Sequence, residues 1–156
     1  ILVPVLFMVT LMWLLNVAHR SSSSSARFPA GIVMIETNRL SHRERDLFHQ
    51  YEVASSMSSP GNRNAALSRV VHIGIDQGAF VIALAAAVLI SGPGDHDQAL
   101  ATIAVSAVKT GNDAIAAKAV AEIQSPGTRD ETAKRVLDLI ERRQNTNLHS
   151  PPPGKE

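Results

Sequence analysis

The chain has no cysteine, and among its 156 residues there are only one tryptophan, one tyrosine and four phenylalanines. Without a thiol there is no disulfide framework, no thiolate metal site and no cysteine nucleophile, and the redox compartment stays open. Aromatics at 4% within an apolar share of 45%, much of it alanine, argue against a long-stranded sandwich or barrel, which leans on Val, Ile, Thr and ring side chains. An excess of charge of one sign is also missing. Fifteen Lys+Arg against fourteen Asp+Glu give +1, so no global basic field marks nucleic acid as a partner. Phosphate loops are absent too: Gly92-Pro93-Gly94 lacks a following Lys-Ser/Thr and opens an acidic helix start. Gly-x-Ser-x-Gly and His-Glu-x-x-His do not occur. The expectation is a chain that is not an enzyme and uses no cofactor. Its length suits one domain of ordinary size.

The first feature present is a run without charge. In residues 1–18 only Pro4, Thr10 and Asn16 interrupt Leu, Val, Ile, Met, Phe and Trp side chains. As a helix it spans roughly 27 Å, just short of a bilayer core of about 30 Å. Pro4 falls in the first turn, where a missing N–H costs little, and Trp13 suits the headgroup boundary. The run reads as a transmembrane helix, with a cleaved secretory signal as the rival. Residues 19–31 follow as a serine-rich linker, containing Ser21 to Ser25. From His19 to Arg45 five arginines face two acids, +3 in all. Basic flanks stay on the cytoplasmic side, which predicts a single-pass membrane protein whose soluble part faces the cytoplasm.

A 33-residue period organises the remainder. Pro60-Gly61, Pro93-Gly94 and Pro126-Gly127 recur at that spacing, and the register holds on both sides of each pair. Met57, Ile90 and Ile123 correspond before it. After it come Arg63, His96 and Arg129, then Asn64, Asp97 and Asp130, then the apolar sets Leu67/Leu100/Ala133 and Val70/Ile103/Val136. Each unit reads as two helices. First helices are predicted over 62–77, 95–110 and 128–143, and second helices over 46–57, 79–91 and 113–124. A degenerate first helix is predicted over 32–40. Pro-Gly marks the corner that stops each second helix, and Asp95 or Asp97 caps the start of the central first helix. Residues 79–90 form a twelve-residue apolar run, too short to cross a bilayer and explained as the central helix of an array. Residues 144–156, with Pro151-Pro152-Pro153-Gly154, lack apolar periodicity and read as a disordered tail.

Leu100, Ile103, Ala104, Gly111 and Ala116 stand where the tetratricopeptide repeat places its large, large, small, glycine and alanine positions; Leu67, Val70, Gly78 and Ala83 do likewise. Over residues 46–143 the chain resembles that family. It departs from it in a period of 33, in alanine at aromatic positions and in short second helices. The resemblance implies an all-α fold, a short right-handed α-solenoid of antiparallel helix pairs over 32–143. It also implies a concave face of first helices that binds a protein or peptide. Partner-binding positions on that face are Ser68, His72, Asp76, Gln98, Val105, Lys109, Lys134, Asp138 and Arg142. A peptide terminus or acidic segment is able to pair with Lys109, Lys134 or Arg142.

Two clusters compete for a chemical role. His42, Asp46 and His49 fall at i, i+4 and i+7, within metal reach on one continuous helix, yet the stretch is charged throughout and a solvated face explains it. Asp95-His96-Asp97 resembles a ligand triplet but sits on the turn matched by Asn62-Arg63-Asn64, where capping suffices. No metal site is assigned. The sequence therefore points to a membrane-anchored adaptor or scaffold that binds a protein or peptide. The alternative is a structural accessory subunit of a larger membrane complex. Fewer than three full hairpins are marginal alone, so a homo-oligomer or a place in a complex follows.

Overall fold

The computed structural model describes residues 40–149. The membrane segment (1–18), the linker (19–31), all but the last residue of the degenerate first helix (32–40) and residues 150–156 lie outside the described residues. Within them the chain is all-α, with six helices and no strand. These are α1 (His42–Ser56), α2 (Pro60–Asp76), α3 (Phe80–Val88), α4 (Pro93–Lys109), α5 (Asp113–Glu122) and α6 (Pro126–His149). No helix among the described residues is long and apolar enough to cross a membrane.

Helix ends follow local chemistry. α1 starts at a capping box: the Glu44 N–H donates to Ser41 Oγ, and the Ser41 N–H donates back to the Glu44 carboxylate. The Pro-Gly pairs correct the sequence reading. Pro60, Pro93 and Pro126 are the first residues of α2, α4 and α6, not corner residues. Proline fits there because the first-turn N–H has no helical partner and its fixed φ is already helical. The helices accordingly start two residues earlier than predicted. The reversals fall just before them, at Ser58-Ser59, Ser91-Gly92 and Gln124-Ser125, with Gly92 at φ 108. α6 runs past Arg143 to His149.

The other corner of each pair is closed by glycine in the left-handed region, Gly78 at φ 72 and Gly111 at φ 83. After α2 the Gly78 N–H reaches the Ile75 carbonyl (3.1 Å) and the Ala79 N–H the Gly74 carbonyl (2.8 Å). The same two bonds recur after α4, from Gly111 to Val108 (3.0 Å) and from Asn112 to Ala107 (2.8 Å). Both are Schellman closures, which satisfy carbonyls that the helix end would otherwise strand.

Packing repeats as the corners do. α2 packs on α3 and α4 on α5; α2 also lies beside α4 and α4 beside α6, while α1 lies beside α3 and α3 beside α5. The core is built from Leu47, Leu67, Ile82, Leu100, Ile103, Val108 and Ile123, all nearly inaccessible. Between them stand small residues, with Ala83, Ala86, Ala87, Ala104, Ala107, Ala116 and Ala119 fully buried. Small side chains make thin spacers, so helix axes approach closely. At Gly74 the approach is tight: a Cβ there would sit 2.9 Å from the Ala83 Cβ.

Candidate functional site

The even-numbered helices α2, α4 and α6 carry their polar residues into clefts between neighbours. A cleft of 180 Å³ separates α2 from α4, lined by Ser68, Val71 and His72 on one side and Asp95, Gln98, Ala99 and Thr102 on the other. A second cleft, of 320 Å³, separates α4 from α6. Its α4 wall carries Gln98, Ala101, Thr102, Val105, Ser106 and Lys109, and its α6 wall Thr128, Glu131, Thr132 and Arg135. The register is exact in sequence terms. Asp95, Gln98, Ala99 and Thr102 lie 33 residues before Thr128, Glu131, Thr132 and Arg135. Each helix presents the same four positions to the helix before it, and Gln98 and Thr102 belong to both clefts.

Among the positions singled out from sequence, Ser68, His72 and Gln98 line the first cleft, and Gln98, Val105 and Lys109 the second. Asp76, Lys134, Asp138 and Arg142 are exposed on α2 and α6 and line neither of these clefts. Thr102, Glu131, Thr132 and Arg135 were not singled out. Glu131, Thr132 and Arg135 belong to the opposite wall of the second cleft, while Thr102 stands beside Gln98 on α4; adding one period to Gln98 and Thr102 points directly to Glu131 and Arg135. The α4–α6 cleft mixes charge: Lys109 and Arg135 stand against Glu131. It offers two cations and threonine hydroxyls without a nucleophile–base pair.

The Asp95-His96-Asp97 turn does a different job from the one predicted. Gly92 occupies the cap position of α4, and no side chain caps that helix start. Asp97, 3% exposed, instead reaches the next corner: its Oδ1 accepts the Gln124 N–H and its Oδ2 the Ser125 N–H, both at 2.9 Å. The His96 Nδ1 lies 3.1 Å from Asp97 Oδ1, with both residues buried. Burial alone would raise the Asp97 pKa; the Gln124 N–H, the His96 ring and the Ser125 N–H outweigh it and hold the carboxyl below its ordinary value. One period earlier Asn64 does the same. Its Oδ1 accepts the Ser91 N–H (3.0 Å), its Nδ2 donates to the Ser91 carbonyl (2.6 Å), and Arg63 donates to Ser91 Oγ (3.0 Å). A clasp from the start of α2 and another from the start of α4 thus fix the corner that ends each of those two helix pairs.

His42 pairs with Asp46 (3.1 Å), while His49 pairs with Glu52 (3.2 Å). The three residues of that stretch are not gathered, and among the described residues no group of three or more such side chains is placed to hold a metal. Arg143 donates to the Val108 carbonyl (2.9 Å) and pairs with Asp113, tying α6 to the α4–α5 corner.

Comparison of the chain with protein families, curated proteins and solved structures gave no match.

Proposed function

We propose that α1 to α6 form a short right-handed α-solenoid of tetratricopeptide-like pairs. In this reading it binds a protein or peptide along the face made by α2, α4 and α6, and residues 1–18 hold it at a membrane. The observation that carries the reading is the pair of clefts built from one set of register positions and joined at Gln98 and Thr102. Helices stacked at a fixed period make a groove that runs across them, and an extended segment lying in it meets equivalent positions in turn. Lys109 and Arg135 give the α4–α6 part an affinity for carboxylates, and Glu131 supplies the counter-signal that disfavours a uniformly acidic ligand. Tethering at a membrane raises the local concentration of the array near a partner in the same membrane.

A photo-crosslinking amino acid at Val105 tests the groove, with Ala117, exposed on α5, as the control position. The reading predicts one discrete protein adduct from Val105 and none from Ala117, and loss of that adduct in Lys109→Ala/Arg135→Ala. Equal labelling at both positions refutes the groove. Removing residues 1–27 then separates the two roles considered. An adaptor keeps its groove adduct in the soluble fraction, whereas an accessory subunit docked through its membrane helix loses every partner.

A further inference from the structure

The two ends of the described array are unfinished in opposite senses. α6 is a first helix with no second helix after it, and α1 is a second helix with no first helix before it, among the described residues. Among the described residues the exposed large apolar side chains fall at those two ends, Val53 on α1 (62%) and Leu137 on α6 (59%). Both occupy register positions that are buried elsewhere: Leu137 matches Val71 and Ala104, and Val53 matches Ala86 and Ala119.

The polar clasp is unfinished in the same way. Arg129-Asp130 repeats Arg63-Asn64 and His96-Asp97, yet neither side chain has a hydrogen-bond or ion-pair partner among the described residues. At the other end, Ser58-Ser59 repeats Ser91-Gly92 and Gln124-Ser125. The Ser58 N–H makes no hydrogen bond among the described residues, where the equivalent Ser91 and Gln124 N–H groups are taken; at the Ser59 position the Ser125 N–H is taken and the Gly92 N–H is not. That corner also borders a hollow of 670 Å³ whose other wall is Asn62, Ala65, Ala66 and Arg69. These are the four positions that α4 and α6 each present to a preceding first helix.

We propose that α6 of one copy packs against α1 of a second copy, completing a helix pair in trans, with Arg129-Asp130 closing on the second copy's Ser58-Ser59 corner. Among the described residues, every element missing at one end is present at the other. Asp130 supplies the acceptor for two N–H donors, Ser58 supplies the hydroxyl that Ser91 offers to Arg63, and Leu137 and Val53 cover one another's junction. The contact is looser than the pairs within the chain. Ile140 and Gln50 stand where Gly74 meets Ala83, and two long side chains hold the axes apart. Association is therefore weak and concentration-dependent. It is also head-to-tail, so it propagates or closes into a ring and does not stop at a two-fold dimer.

The lack of cysteine makes the test direct. One full-length chain carries Val53→Cys, a differently tagged one carries Leu137→Cys, and the two are mixed in mild detergent with a short bis-maleimide. Both positions are exposed, so the fold is retained, as circular dichroism checks. The expected product is the mixed dimer, with each variant alone giving none, and Arg129→Ala/Asp130→Ala in the Leu137→Cys chain lowers its yield about fivefold. Homotypic adducts overturn the proposal, because they show a two-fold contact. Absence of the mixed adduct overturns it as well, including the case where Val53→Cys resists a simple maleimide because residues 27–39 of its own chain cover α1. An unchanged yield in the double-alanine variant removes the clasp.

Discussion

Gly74 and Gly94 are both helical glycines, and replacing either with alanine has opposite consequences. At Gly94 nothing lies within 4 Å of a new Cβ, so Gly94→Ala stabilises by about 0.5–1 kcal/mol through lost unfolded-state freedom. At Gly74 the new methyl meets the Ala83 Cβ at 2.9 Å and the Ala79 carbonyl oxygen at 3.3 Å. Overpacking of that kind costs about 1–3 kcal/mol, and urea melts of the two variants read the difference in sign. Asp97→Ala strands two corner N–H groups and costs about 2–3 kcal/mol. Its contribution depends on pH with a definite sign. A carboxyl whose native pKa is lowered stabilises the fold fully above its unfolded value of about 4 and ceases to as pH falls through the lower native value. Melts of wild type and Asp97→Ala therefore converge in acid. The pairing of Asp97 with Gln124 was not legible in the sequence, because a helix-start aspartate reads equally well as a local cap. Its match to Asn64 showed that the position mattered, but only packing showed that it reaches a corner 27 residues on.

At the level of helices, the apolar period identified all six described elements as helical and assigned each as first or second of a pair. The ends were less legible, for a reason particular to Pro-Gly. The dipeptide reads as a breaker, yet proline at the first position of a helix is as favourable as it is costly in the interior. Gly111 was legible, since a glycine closing an apolar period marks a left-handed residue. Gly111→Ala keeps the fold but forces a side chain into φ 83, at a cost of about 1 kcal/mol, measurable as a lowered thermal midpoint. Alanine at Gly61, where the helix is open and nothing lies within 4 Å, carries no such penalty.

For the whole molecule, the fixed period made the succession of the six described helices visible before any coordinates, while the clefts were half visible. One wall follows from the polar stripe of a single helix; the other comes from the neighbouring helix, whose approach a stripe alone does not reveal, and Glu131 and Arg135 went unnoticed for that reason. On the proposed solenoid reading the helices are held by neighbour-to-neighbour contacts, so stability is graded along the chain. Hydrogen exchange should protect α3 and α4, which are packed on both sides, more strongly than α1 and α6. Protection that is instead uniform from α1 to α6 indicates a single cooperative block.

The clasp that joins Asp97 to Gln124 and Ser125 begins and ends inside one stretch bounded by Pro93 and Ser125. That stretch is consequently a self-sufficient cassette: its opening proline, its glycine bend and the fastener for its closing edge all travel together. Copying it once more between Ser125 and Pro126 would lengthen the protein without leaving any seam unsealed, which makes growth by duplication of whole cassettes the least disruptive way for such a chain to gain length.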